Sequence, residues 1–315
     1  MSCMNKKKAD IPVTLLMAEA NPAESIVGKM DLAFAEKVHE LSNGSITVNL
    51  QCSSILGDET TVMKTIMTPE SSIHLARVSA SLANYGGIKS KLITIPYTFS
   101  NADHFWKFAN SEIAEEILDE PYVANLGVKG LFYGEEGFRH FFSVSKLEKM
   151  EDMKGKKTRV SSSKVMQDLM NALQAIPVTV PFTDLYASLQ TGNTDVADQP
   201  ISNYYTNSFH TVAPYIILDG HMLGAVQVLI NAKTWDSLSE NQQKALKEAG
   251  KYASDYCRTI VNDIESETIN KLIAEGATVV EVKDIKPWQA ACAEMIKDSA
   301  KNAPDVYQKI LDLAE

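Results

Sequence analysis

The chain has 315 residues, 45% of them hydrophobic and 22% charged, which is long enough for two domains of ordinary globular composition. Its 40 acidic and 30 basic residues give a formal net charge of −10, a field that repels nucleic acid and anionic membrane surfaces and removes both from the expected partners. No apolar run approaches the roughly 20 residues of a membrane span, and an anionic ligand would need a local source of attraction.

The N-terminus opens on Met1-Ser2-Cys3 and a polar, lysine-containing stretch to Asp10. A small residue before a cysteine looks like the stump of a bacterial lipoprotein signal, with Cys3 as the lipid-attachment site and residues 1–10 as anchor or linker; an ordinary polar tail is the other reading. Val13, Leu15 and Met17 then alternate as a half-buried strand does. From Pro22 to Ser42, Val27, Met30, Phe34, Val38 and Leu41 fall on one helical face, and Asn43-Gly44 stops the helix. Ile46, Val48 and Leu50 give the next strand, and the turn at Leu56-Gly57-Asp58-Glu59 leads into a short helix ending near Pro69. This rhythm predicts a mainly parallel sheet covered by helices, whose ligands bind at the carboxyl ends of the strands.

Beyond Ala124 the pattern restarts, with strands near Val128–Tyr133, Phe138–Val144 and Lys157–Val160, a helix from Lys164 to Gln174 and a strand at Val178–Val180. A second sheet is the economical expectation. After a strand at Ala225–Asn231, Ser239-Glu240-Asn241-Gln242 reads as a capping box opening a helical stretch to about Ala274. At 1.5 Å per residue it is on the order of 50 Å long, enough to brace two domains.

The most informative stretch is Lys146 to Pro200, where Arg159 ends a basic strand, KGKKTRV. An arginine on a strand offers a rigid fork of donors that matches a carboxylate two bonds at a time, which a lysine cannot. Enzyme signatures are missing. The six histidines show no HxH or HExxH spacing, the cysteines Cys3, Cys52, Cys257 and Cys292 form no CxxC, and there is no GxSxG, P-loop or GxGxxG, so neither a metal nor another cofactor is expected.

Taken together, the motifs resemble the solute-binding proteins of tripartite ATP-independent periplasmic (TRAP) transporters, of the DctP type, from about Ile11 onward. Those that carry the resemblance are Phe34-Ala35-Glu36 to Asn43-Gly44, LGDE at 56–59, Ile95-Pro96-Tyr97-Thr98-Phe99, Gly137-Phe138-Arg139, Met153-Lys154-Gly155 with Lys157 and Arg159-Val160, Phe182 to Tyr186, Leu189-Gln190 to Asp195, Asp198-Gln199-Pro200, and Trp235 to Leu246. The resemblance implies an α/β, two-domain, periplasmic-binding-protein-like clamp with a long domain-spanning helix. Domain I would be residues 11–135 and 224–264, and domain II residues 136–223 and 265–315. The clamp would close on its ligand by bending near Gly134–Gly137 and Gly220–Gly224.

It further implies a periplasmic or otherwise extracytoplasmic protein that delivers a small carboxylate-containing solute to TRAP membrane permease subunits, touching the membrane only through the permease and a lipid anchor. Arg159 matches the arginine that salt-bridges the ligand carboxylate, and Arg139 a second arginine that holds the acid, orients the first or forms a structural ion pair. Phe182 fits an aromatic packed on the ligand body, and Gln199 stands where many relatives carry asparagine. Glu19 and Asn21, at the carboxyl end of the first strand, and Arg77, Tyr97, Tyr204 and His221 complete the candidates; for Arg77 surface pairing competes with ligand binding, and for His221 a structural hydrogen bond does. A sensing protein coupled to a signalling receptor shares the same features, and an enzyme of unrecognised type is the remote alternative. The solute itself is not legible.

Overall fold

Hydrophobic periodicity places the elements, and the computed structural model describes them over residues 8–79, 85 and 87–314. Cys3 lies outside the described residues. In chain order the elements are β1 (Val13–Ala18), α1 (Ile26–Leu41), β2 (Ile46–Gln51), α2 (Glu59–Ile66), β3 (Leu75–Ser79), α3 (Ala102–Ala109), α4 (Glu112–Val123) and β4 (Val128–Ser143). There follow β5 (Lys157–Val160), α5 (Lys164–Ala172), β6 (Ile176–Thr179), α6 (Leu185–Gln190), β7 (Val196–Pro200), α7 (Ile201–Thr206) and β8 (Tyr215–Asn231). The chain ends with α8 (Ala232–Ser237), α9 (Glu240–Ala274), β9 (Thr278–Glu281), α10 (Lys286–Ala300) and α11 (Pro304–Asp312).

The chain divides into two compact units, the first Met1–Val78, Leu118–Gly134 and Gln227–Thr259, the second Ser79–Ile117, Glu135–Val226 and Ile260–Glu315. Residues 79–117, placed with domain I by the sequence reading, thus group with the second unit.

In the first unit β1 pairs in parallel with β2, Val13 opposite Ile46, and with β3, Met17 opposite Leu75. Leu15, Met17, Ile46 and Leu75 are fully buried, as are Ile26, Val27, Met30, Phe34 and Val38 of α1. That helix starts because the Ser25 hydroxyl accepts the Gly28 N–H at 3.0 Å. It stops where Asn43 (φ 49°) and Gly44 (φ 77°) turn left-handed, a conformation that costs glycine nothing. The capping box of α9 is present as read: Gln242 N–H donates to Ser239 Oγ, and Ser239 N–H to Gln242 Oε1, both at 3.1 Å.

In the second unit β5 runs parallel to β6 and β7, and β7 is antiparallel to β4, with Arg139 opposite Pro200 and Ser143 opposite Val196. Successive side chains on β4 point to opposite faces, so Phe141 enters a core with Val160, Leu169, Trp288 and Cys292, while Phe142 enters another with Leu185, Ile201, Tyr204 and Phe209.

Two sequence expectations change. The strands expected at 128–133 and 138–144 are one 16-residue strand, β4, and the strand expected at 225–231 is the end of the 17-residue β8. Because these two strands run on, the ladder is one sheet in the order β2-β1-β3-β8-β4-β7-β5-β6, with β9 on β8, and a separate second sheet is not formed. Gly137, at φ +83°, explains the misreading: the Gly134-Glu135-Glu136-Gly137 run has turn composition, yet the glycine takes up the left-handed backbone inside the strand.

Candidate functional site

Arg159 is the next-to-last residue of β5, at the carboxyl end of parallel strands. The strand is locked in place because Lys157 N–H donates to Asp195 Oδ2 at 2.9 Å and Asp195 N–H donates to Lys157 O at 2.7 Å. The Arg159 side chain is 5% exposed, and its Nε donates to the Val180 carbonyl at 2.9 Å. That bond to a neutral acceptor fixes the plane of the guanidinium.

Arg139, on β4, is engaged differently. Its Nε donates to Asp198 Oδ2 at 2.6 Å and its Nη2 to the Asp198 backbone oxygen at 2.9 Å. His221 lies beyond the same carboxylate, with Nε2 3.4 Å from Asp198 Oδ2 and Nδ1 2.7 Å from Asp219 Oδ2. Asp219 Oδ1 also accepts the Phe141 N–H at 3.0 Å, and the Phe141 ring stacks on His221 at 4.2 Å. His221 is 0% exposed. Burial disfavours its charge, but Asp219 and Asp198 outweigh that and push it up to about 9. Burial likewise opposes ionisation of Asp198, yet Arg139 and His221 hold its carboxyl well below the usual range. His140, its Nδ1 accepting the Gly220 N–H at 2.9 Å, is driven by burial down to about 4 and stays neutral. Arg139, Asp198, His221 and Asp219 therefore form a chain of alternating charge, with Asp198, His221 and Asp219 buried and Arg139 partly so.

Gln199 sits between these groups on β7, 4% exposed, its backbone paired with His140. Tyr97 belongs to this second unit and not, as expected, to the first; its N–H donates to the His221 carbonyl at 2.9 Å. It holds φ +62°, uncommon for a bulky side chain, and its phenol oxygen is buried with no hydrogen-bond partner among the described residues. Burial, and then Asp219, push that phenol far up. Phe182 is half-buried, edge-on to Phe209 at 5.9 Å. Tyr204 is fully buried in the core with Phe142 and Phe209, and its hydroxyl donates to Ala213 O at 2.7 Å.

In the first unit Glu19 follows β1 immediately and Arg77 lies in β3. One edge of the Arg77 guanidinium, its Nε and Nη2, donates to the two oxygens of the Glu19 carboxylate, which also accepts the Asn21 N–H. Glu19 is 2% and Arg77 4% exposed. The pairing expected for Arg77 at the surface is thus buried, and Asn21 is buried beside it at 4% exposure. The sequence reading missed Asp219, although Asp219 and His221, two apart on a strand, share a face.

These features define an α/β binding protein of the two-domain clamp type. The model of the bacterial extracellular solute-binding protein family 7 (DctP) matches residues 17–302, and the chain belongs to that family, the solute-binding proteins of TRAP transporters. It is 24% identical over 270 residues to the C4-dicarboxylate-binding periplasmic protein DctP of Rhodobacter capsulatus, covering 85% of this chain and 79% of that one. Among solved structures it is similar to a TRAP periplasmic solute binding protein from Pseudomonas putida F1 with bound D-glucuronate, at TM-score 0.90 and 25% identity over 95% of this chain and 96% of that one. One from Polaromonas sp. JS666 bound to D-erythronate gives TM-score 0.90 and 25% identity over 95% and 98%. The chain is a solute-binding protein and not an enzyme, of a family whose members are periplasmic. No helix among the described residues is long and apolar enough to cross a membrane.

Proposed function

We propose that this protein captures a small organic acid through a two-bond salt bridge between Arg159 and the solute carboxylate, and delivers it to the membrane permease of a TRAP transporter. The observation that carries this reading is the placement of Arg159, buried at the carboxyl end of a parallel strand with its Nε anchored on Val180. An arginine so held loses little further freedom on gripping a planar anion, which suits the bidentate geometry. Gln199 supplies an amide donor and acceptor from β7, and Arg139, tied to Asp198, keeps that strand in register. The organic acids bound by the relatives from Pseudomonas putida and Polaromonas support the same class of solute.

A thermal-shift screen of organic acids identifies the solute, since a ligand at 100 times its Kd adds about 2.7 kcal/mol to the folded state. Arg159→Ala then tests the salt bridge by calorimetry. Removing one partner of a desolvated charge pair costs about 2–5 kcal/mol, so affinity should fall roughly 30-fold to several thousand-fold with an unchanged circular dichroism spectrum. Arg159→Lys should fail as well, having lost the planar fork. Binding by Arg159→Ala within threefold of the parent would rule out the assignment.

A further inference from the structure

In the second unit α9 rests on β4 through a carboxyl group. The Glu265 side chain occupies the space that a Cβ at Gly137 would need, and its Oε1 is buried with no hydrogen-bond partner among the described residues. Glu135, two residues earlier on the strand, shares that face; it is 1% exposed, and its carboxylate accepts the indole N–H of Trp106 from α3. Glu136 alternates to the other face, against Gly224 of β8. One turn away on α9 stand Val261, Asn262, Thr268 and Ile269, all uncharged, and Arg258, two turns back, is exposed. Glu135 is thus the charge that Glu265 meets.

An ionised Glu265 fits this seat poorly. Its charge would be withdrawn from water, with no donor on Oε1 and with Glu135 on the same strand face, and both conditions favour the neutral acid. Burial, and after it Glu135, accordingly push Glu265 up to about 8. Water is close at hand, since Asn262 and Ser266 on the same helix are exposed. We infer that Glu265 is a proton-operated latch: the neutral acid seats the C-terminal half of α9 on the bare backbone of Gly137, and the carboxylate is expelled by Glu135, freeing that half of the helix while the sheet stays folded. The sign follows from linkage. A released side chain has an ordinary carboxylate's affinity for protons, so from 4.5 to about 8 each pH unit favours release roughly tenfold, and above about 8 the gain stops.

Amide hydrogen exchange on the intact chain tests this, with rates divided by their intrinsic values and low urea added to separate local opening from global unfolding. Protection of the 260–274 amides should fall about tenfold per unit between pH 6 and pH 8, level off by pH 9 and be insensitive to urea, while the amides of β5 and β7 exchange only in the urea-sensitive mode. Flat protection across that range, or exchange of α9 only together with the sheet, overturns the latch. Glu265→Gln, neutral at every pH and nearly the same shape, should hold the helix seated and abolish the slope; a slope that survives in it assigns the opening to another group and overturns the inference as well. Should that variant not fold, the Glu265 carboxyl carbon followed by NMR in the unaltered protein decides together with the exchange data. Its titration midpoint should lie well above the ordinary 4.5 and should fall in Glu135→Gln. An ordinary midpoint, or one that Glu135→Gln leaves in place, overturns the inference.

Discussion

His221 carries its charge at neutral pH because two carboxylates flank it where water does not reach. Removing that cation leaves Asp198 and Asp219 buried with one fewer compensating charge, and breaking such a pair typically costs about 3–5 kcal/mol. His221→Asn should lose stability of that order in urea titration at pH 7. The sign with pH follows from a folded pKa raised from 6.5 to about 9: the histidine's contribution is complete below about 6.5 and is lost as pH rises through about 9. His221→Asn should therefore be most harmful near pH 6 and much less so near pH 10. Part of this cluster was legible, since Asp219 and His221 stand two apart in an apolar strand. Their link to Asp198 was not, because β4 lies between β7 and β8 in the sheet and no local spacing announces that neighbourhood. The bond of the Tyr204 hydroxyl to the Ala213 carbonyl was equally illegible, since no local spacing links the two.

Along β4 and α9 the informative meeting is between Gly137 and Glu265. A Cβ at Gly137 would collide with the Glu265 carboxylate, and the glycine's φ of +83° disfavours any side chain. Gly137→Ala should thus destabilise by on the order of 1–3 kcal/mol, read by thermal unfolding. Burial, with Glu135 adding its charge, pushes Glu265 up from 4.5 to about 8. Between those values the folded protein holds a proton that the unfolded chain releases, so stability is greatest below about pH 4.5 as far as this group is concerned and falls as pH rises through about 8. Glu265→Gln should remove that slope, and urea midpoints at pH 6 and pH 9 should lie closer together than in the parent. The long helix itself was readable from its cap and length. The strand beneath it was not, because four consecutive residues of turn composition concealed a continuous strand until its hydrogen bonds were in view.

For the molecule as a whole, the α/β class, the long helix and the family were legible, whereas the single sheet was not, since two strands of 16 and 17 residues exceed what alternation suggested. Closure on the ligand, which the family resemblance implies, would be a population shift driven by the solute's preference for one conformation. The radius of gyration by small-angle scattering should then decrease on saturation with the cognate acid. An unchanged profile with calorimetrically verified binding would argue for a rigid preformed site. The interleaving of the two units also governs how the chain is made. The first unit takes residues 1–78, 118–134 and 227–259, so its opening stretch emerges long before the last segment it packs against. At about 5–20 residues per second, synthesis leaves that stretch waiting roughly 10–40 s for its partner. Neither unit can be completed early, and for most of its synthesis the nascent chain lacks a segment that each unit needs.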